Sequence, residues 1–342
     1  MTAAPKTCLV ATAKNEAPFL LEWVAHHLEA GFTDLIIFQN DSDDLTHDML
    51  SLLQAMGAVQ YFVNHAARGA HQVKAYMRAS ELPAYRGSDF AMALDLDEFL
   101  VIKTGDGRLA DLFAAAPPFD FMCVNWRLFG NSGKRMQNFQ LQAERFTMAD
   151  YVMQDNETFN AFKALYRTAL YDRPGIHQPR PRDGETPAPR IVNGSGLPEE
   201  AFQIRNYNST DPGGQALAQI NHYIVRDLDS FIVKTRRGSA HQDDREVGLK
   251  YWATRNRNYV EDLSIQPFLP RIFDRIRALD AASGGRLLRL RRQAIAIHKE
   301  KFVITMEDPE ARALRQDCLK LDGLAPFAGS WRDHLQTPAS GD

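Results

Sequence analysis

Phe90-Ala91-Met92-Ala93-Leu94-Asp95-Leu96-Asp97-Glu98-Phe99-Leu100 is the most informative segment of the chain. A short apolar run ends in three carboxylates within four residues, and an apolar run resumes at once. Short apolar runs with polar breaks read as strands buried on both faces. In an extended chain, alternation places Asp95 and Asp97 on one side and Leu96 on the other. Two carboxylates held that close repel each other unless a cation lies between them. Hard divalent ions such as Mg²⁺ or Mn²⁺ take oxygen ligands of this kind and also hold diphosphate oxygens. Solvated acids capping a strand would look the same, and the Asp-x-Asp spacing is common. Position favours the ligand-binding reading, because open α/β sheets bind ligands beyond the carboxyl ends of their strands.

Outward from this stretch, the first third of the chain alternates apolar runs with amphipathic segments, the layering of an α/β sheet. Strands are predicted at Thr7–Thr12, Leu35–Gln39, Val59–Val63, Phe90–Leu94 and Phe121–Asn125. Between the first two, Leu20, Trp23, Val24, His27 and Leu28 recur at helical spacing, with Pro18 near the start and Gly31 past the end. Glu22, His26 and Glu29 fall off that stripe. Glu22 and His26 are expected to be structural, joining the helix to a neighbouring loop by hydrogen bonds. A second helix is predicted over His71–Leu82. Pro174–Pro189 reads as a loop and Asn193-Gly194 as a turn. The β-compatible run Ala218–Val225 is predicted to carry His222 to the Asp95–Asp97 pair. From about Asp227 the pattern is helical, with Ser283-Gly284-Gly285 between two helices and a frayed end over Thr337–Asp342.

The formal charge of −3 on 342 residues leaves no global basic field for nucleic acid. The three cysteines form no CxxC pair, and Cys8 and Cys123 sit in apolar stretches as small core residues. That usage suits a reducing compartment. The apolar run Cys8–Ala11 is too short for a secretory signal, and no run approaches a membrane span, so a cytoplasmic location is expected. The basic stretch Arg286–Arg292 has two readings. It packs its leucines inward, or it lies on an anionic membrane surface, which would suit a lipid-linked acceptor.

Several motifs in succession resemble family-2-like glycosyltransferases of the GT-A type, related to glycosyltransferase family ninety-two. They are Ala13-Lys14-Asn15-Glu16, Leu21-Glu22-Trp23, His26-His27 with Gly31, and Phe38-Gln39-Asn40-Asp41-Ser42-Asp43-Asp44. Gln72 through Tyr76 and Asp95-Leu96-Asp97-Glu98-Phe99 continue the series. Trp126-Arg127-Leu128-Phe129-Gly130-Asn131-Ser132-Gly133, Asn221-His222-Tyr223, Lys234 and Arg237-Gly238 complete it, over roughly residues 7–240.

The resemblance implies a GT-A-like nucleotide-binding mixed sheet flanked by helices. It would form a domain over residues 1–238, with a helical C-terminal extension over 239–342. It implies a metal-dependent, hexosyltransferase-like enzyme that moves a sugar from a nucleotide-sugar donor to a glycan, lipid-linked or other acceptor. Thr12, Lys14 and Glu16 would lie near the nucleotide, with Asn40, Asp44 and Gln72 as further donor-binding candidates. Asn40 stands where many relatives carry an aspartate, so base preference does not transfer. Asp95 would face the ribose and the metal, Asp97 would bind Mn²⁺ or Mg²⁺, and His222 is a candidate third ligand. Trp126 would stack a sugar ring, with Gly130 and Gly133 allowing close backbone approach.

Each residue also has an ordinary reading. Lys14 is then solvated, Asp41, Asp43 and Asp44 cap the next helix, and His222 is fixed by a hydrogen bond. Lys234, Arg236 or Arg237 could offset leaving-group charge. An inverting enzyme needs a carboxylate base, and Glu98, Asp183, Glu185, Asp243 and Asp244 all qualify. Two other classes stay open. A sugar-phosphate nucleotidyltransferase would normally show a glycine-rich basic loop at Ala13–Glu16, and a non-catalytic glycan-binding protein would not need the acid pair.

Overall fold

The computed structural model describes residues 5–65, 71–182, 184, 187–237 and 247–322, and of Arg236 and Arg237 the backbone alone. The chain begins β1 (Thr7–Ala13), α1 (Ala17–Ala30), β2 (Asp34–Gln39), α2 (Thr46–Ala55), β3 (Gln60–Val63) and α3 (His71–Glu81). Next come α4 (Pro83–Arg86), β4 (Phe90–Ala93), β5 (Glu98–Ile102), α5 (Leu109–Ala115) and β6 (Phe121–Leu128). The middle holds α6 (Gln142–Arg145), β7 (Met148–Ala149), β8 (Asn160–Arg167), β9 (Tyr171–Arg173), β10 (Arg180–Pro181) and β11 (Ile191–Asn193). A small hairpin follows, β12 (Ile204–Arg205) and β13 (Asn208–Ser209), and then β14 (Ala218–His222). The rest is α7 (Leu228–Arg237), α8 (Leu249–Arg255), β15 (Val260–Glu261), α9 (Leu269–Ala282), α10 (Arg286–Thr305) and α11 (Pro309–Asp322).

The main sheet runs β3-β2-β1-β4-β8-β6-β14-β5. Its first four strands are mutually parallel. Because they are buried on both faces, alternate residues serve different layers. Leu9, Ala11, Leu35 and Ile37 face α1 and α2, while Cys8, Val10, Ile36 and Phe38 face Ala75, Tyr76 and Ala79 of α3. This explains the near-continuous apolar runs of the N-terminal strands. After β3 the chain returns to the other side of β1 and lays down β4. The strand order therefore reverses at β1, which opens a crevice beyond the carboxyl ends of β1 and β4. The second half is mixed: β8 is antiparallel to β4 and β6, while β14 is parallel to β6 and antiparallel to β5.

The α/β sheet flanked by helices, with a helical C-terminal extension, is the expected architecture. The five expected strands, now β1, β2, β3, β4 and β6, end within three residues of their expected bounds, while β5 was not expected as a strand. Ser283, Gly284 and Gly285 separate α9 from α10, both glycines adopting positive φ. Two expectations need correction. Asp95 and Asp97 do not lie in an extended chain, because the Glu98 N–H donates to the Asp95 carbonyl at 3.0 Å and closes a turn. The irregular middle also contains β8, a strand inside the sheet that joins its two halves. The basic stretch at the start of α10 packs Leu287 into the core and buries Arg291, leaving Arg286, Arg289 and Arg292 exposed. No helix among the described residues is long and apolar enough to cross a membrane.

Candidate active site

The turn Asp95–Glu98 is fastened from below by α1. Trp23 Nε1 donates to the Asp95 and Glu98 carbonyls, at 3.1 and 2.9 Å. One turn on, His26 Nε2 donates to the Leu100 carbonyl at 2.7 Å, and the Leu100 N–H lies 3.4 Å from His27 Nε2. Both imidazoles are buried, which holds His26 down at about 4 and His27 well below the usual histidine value. Glu22 points the other way, accepting the Gln142 and Ala143 N–H groups at 2.7 and 2.9 Å and so capping α6. Glu22 and His26 thus hydrogen-bond to neighbouring elements, but to the start of α6 and to strand β5, where a loop was expected.

Each acid then has its own partners. Asp95 accepts from Gln72 Nε2 at 2.9 Å and from Lys163 Nζ at 3.0 Å. Lys163, on β8, is buried and also reaches Glu98 at 3.1 Å and the Ile176 carbonyl at 2.9 Å. Burial opposes its charge, but Asp95 and Glu98 outweigh that and keep it cationic. Glu98 is wholly buried and accepts the Asp95 N–H at 2.8 Å. Burial, together with Asp95 and Asp97, pushes its carboxyl up to about 8 against the pull of Lys163. A carboxyl so enclosed does not reach an acceptor hydroxyl, which removes Glu98 from the base candidates. The other four, Asp183, Glu185, Asp243 and Asp244, lie outside the described residues.

His222 closes β14, and its Nε2 stands 3.6 Å from Asp97 Oδ1, just beyond hydrogen-bond length. Strand β14 is responsible, because its register with β5 pairs His222 with Glu98. Lys234 Nζ lies 3.4 Å from the other Asp97 oxygen and donates to the Ile224 carbonyl at 2.8 Å. Burial alone would raise the Asp97 carboxyl, but Lys234, His222 and Arg226 together hold it well below the usual range. Burial in turn lowers His222, against the pull of Asp97, and favours neutral imidazole, the form that ligates metals.

The donor chemistry fits a divalent ion at Asp97 and His222: one ionised carboxylate and one neutral imidazole face each other without a hydrogen bond. His222 Nδ1 and Glu98 Oε1 also have no hydrogen-bond partner among the described residues. Asp95 is a weaker direct ligand, since both of its oxygens are already engaged. Among the described residues no three His, Cys, Asp or Glu side chains form a cage for a metal. The remaining ligands would have to come from substrate and water.

The other candidates divide between rim and scaffold. Thr12 is buried at the end of β1, Glu16 pairs with Arg226 at 2.8 Å, and Lys14 is half-exposed. Asn40 is buried and accepts from Asn64 Nδ2 at 2.7 Å. Asp44 accepts N–H groups from Ala17 at 3.1 Å and Thr46 at 2.9 Å, capping the starts of both α1 and α2. The segment after Trp126 is a clamp. A Cβ on Gly130 would overlap Asn258, and the Asn131 and Ser132 N–H groups donate to Asn256 and Asn258 at 2.7 and 2.8 Å. Gly133 has φ +69 with open space around it.

Sequence reading missed Lys163 and Arg226. Lys163 has a faint signal, a lysine inside Ala161-Phe162-Lys163-Ala164-Leu165. Arg226 adopts φ 57 and lies 3.6 Å over the Phe19 ring, held by Glu16 and by Gln142 at 2.8 Å. Beside it a cleft of about 250 Å³ is lined by Phe19, Arg226, Lys234, Ile297, His298 and Lys301. Helix α10 therefore walls the site region, although it contributes little to the family resemblance.

No known protein-family profile matches this chain, and no curated protein matches it. Similar solved structures include S. aureus TarS 1-349, at 11% identity over 94% of this chain and 93% of that one, TM-score 0.32. The same protein in complex with UDP matches at 13% identity over 48% of this chain and 47% of that one, TM-score 0.32. A longer TarS chain is matched over only 29% of its length, so the alignments to it and to the UDP complex each span less than half of the matched chain. A putative glucose-1-phosphate thymidylyltransferase from Bacillus anthracis, in complex with a sucrose, matches at 16% identity over 48% of this chain and 72% of that one, TM-score 0.29. At these values the likeness assigns neither substrate nor activity to this chain.

Proposed function

We propose that the chain is a metal-dependent glycosyltransferase that uses a nucleotide-sugar donor. The observation that carries this reading is the convergence at the β1/β4 crevice. Two acids of one turn, an imidazole from a distant strand, and the cations Lys234 and Arg226 meet where the strand order reverses. A nucleoside diphosphate is anionic and suits such a rim, with its nucleoside over the carboxyl ends of β1 and β2.

Asp97 and His222 would hold the divalent ion. When bound, that ion would offset negative charge on the departing nucleoside diphosphate. Lys234, already at the Asp97 carboxylate, adds positive charge to the same rim. Arg226, fixed by Glu16, Gln142 and Phe19, needs little reordering to meet an anion. Asp95, 32% exposed and braced by Gln72 and Lys163, would accept hydrogen bonds from the ribose. The base that deprotonates the acceptor stays unassigned.

Thermal denaturation with a panel of nucleotide-sugars, with and without Mn²⁺, tests the reading. At least one should raise the melting temperature only when Mn²⁺ is present, and slow release of nucleoside diphosphate should follow without acceptor. Pyrophosphate release from a nucleoside triphosphate and a sugar phosphate would instead indicate a nucleotidyltransferase.

A further inference from the structure

A row of aromatic rings leads away from the acid turn, on the side opposite the nucleotide half of the sheet. His222 packs edge-on against Trp126 with centroids 4.4 Å apart, and Trp126 contacts the His177 ring at 5.3 Å. His177 stacks on Tyr207 at 4.7 Å and 22°. Tyr207 ends the row in solvent, 50% exposed.

This is not an isolated surface aromatic of the kind that needs no explanation. Tyr207 sits at the tip of the β12–β13 hairpin, next to Asn206 at φ 54. The tip is pinned: the Phe162 N–H donates to the Tyr207 carbonyl at 3.1 Å, and Gln178 Nε2 to the Asn206 carbonyl at 3.0 Å. The His177 side is tied to the acids by a second route, because Lys163 Nζ holds both the Ile176 carbonyl and Asp95. A second exposed ring, Tyr151 at 59%, is stacked on Tyr259 at 5.2 Å and borders the same small cavity as Trp126. A water-facing aromatic surface held rigid in this way is costly unless something covers it.

We infer that the outer face of Tyr207, backed by His177, forms a stacking platform for a pyranose ring of the acceptor, making the acceptor a carbohydrate. The inference rests on the glycosyltransferase reading. The C–H face of a pyranose carries partial positive charge and packs on the negative face of an aromatic ring. A ring pinned in place loses little freedom when a sugar docks. Position selects acceptor over donor. In the strand order, β3-β2-β1-β4 lies on one side of Asp95, while β6 and β8, which carry Trp126 and support the hairpin, lie on the other.

Saturation-transfer NMR on the full chain tests this, with methyl pyranosides of glucose, galactose, mannose and N-acetylglucosamine as probes. At least one should receive saturation on the protons of one ring face. Tyr207→Ala should weaken that pyranoside about tenfold, and Tyr207→Phe should retain it. Tyr207 is at an exposed tip, so an unchanged melting temperature checks that Tyr207→Ala still folds. Failure of every pyranoside to bind the wild-type chain overturns the inference, as does equal binding to Tyr207→Ala. Binding of the nucleotide-sugar panel with Mn²⁺ to the wild-type chain is measured in parallel. Pyranoside binding through Tyr207 without any nucleotide binding would keep the platform and sink the transferase reading instead.

Discussion

Asp97 and His26 show how two residues a short distance apart differ in what they control. Asp97 is held ionised by Lys234, His222 and Arg226, and its removal leaves Lys234, 23% exposed, still donating to the Ile224 carbonyl, at a cost of roughly 1–3 kcal/mol. Asp97→Ala should therefore fold but lose all Mn²⁺-dependent stabilisation by whichever nucleotide-sugar raises the wild-type melting temperature, an effect of about 2.7 kcal/mol at a hundred times Kd. Unchanged stabilisation by that nucleotide-sugar in the variant would remove the carboxylate from the proposed site. Asp95→Ala should also lose it, through the freed Lys163. His26 acts on stability. Its folded-state pKa, about 4, lies below its ordinary value because burial disfavours the charged ring. The unfolded chain thus takes up the proton first, so this contribution is complete above about 6.5 and is lost as pH falls toward 4. His26→Gln should be less stable than the wild type at pH 7.5 by roughly 1–2 kcal/mol, from the lost Leu100 hydrogen bond. The gap should narrow between pH 6.5 and 4, as thermal denaturation across pH would show, because the comparison cancels every other titration. A gap independent of pH would mean that His26 is not held neutral.

At the scale of elements, α1 determines where the acid turn sits. Glu22 caps α6 while Trp23, His26 and His27 hold the turn and β5, so one helix face serves two neighbours. Replacing Glu22 by Gln puts an amide against the Gln142 and Ala143 N–H groups and should cost roughly 1–3 kcal/mol. A normal melting temperature with turnover abolished would make Glu22 catalytic instead. How far these elements were legible follows from their burial. β1, β2 and β4 are buried on both faces, so they read as apolar runs, and α1 carries a clear stripe with Pro and Gly at its ends. β8 did not read, because Lys163 breaks its apolar pattern. β11, β12 and β13 are two or three residues long, too short for any periodicity. His222 was placed beside Asp97 from the β-compatible run at Ala218–Val225. Arg226 had no such signal, since its positive φ leaves no mark in composition. Asp44 makes the helix-capping bonds that were its ordinary reading, to Ala17 and Thr46, while it also lines the cleft beside Arg226.

Across the whole molecule, the C-terminal helices are part of the core. Ile272, Ile276, Leu279, Leu287 and Ala294 of α9 and α10 join Leu20, Trp23 and Val24 of α1 in one continuous cluster. Arg291 donates to the carbonyls of Pro18, Phe139 and Gln140, at 3.1, 2.9 and 3.2 Å, tying α10 to the start of α1 and to the loop before α6. A chain ending at residue 238 should therefore lose cooperative unfolding and aggregate, measurable by calorimetry and size-exclusion chromatography. A soluble fragment melting like the full chain would show that the first 238 residues suffice. The insertion of β14 between β6 and β5 has a consequence in time. As the chain leaves the ribosome, β4 has an open edge until residue 160 and beyond supplies β8, and unpaired edges invite aggregation. His222 arrives later still, slotted between strands made about a hundred residues earlier, a closure that slows folding. The acid turn can form early, but His222 and Lys234 join it only after residues 218–234 have been made, so a half-made chain lacks the proposed site altogether.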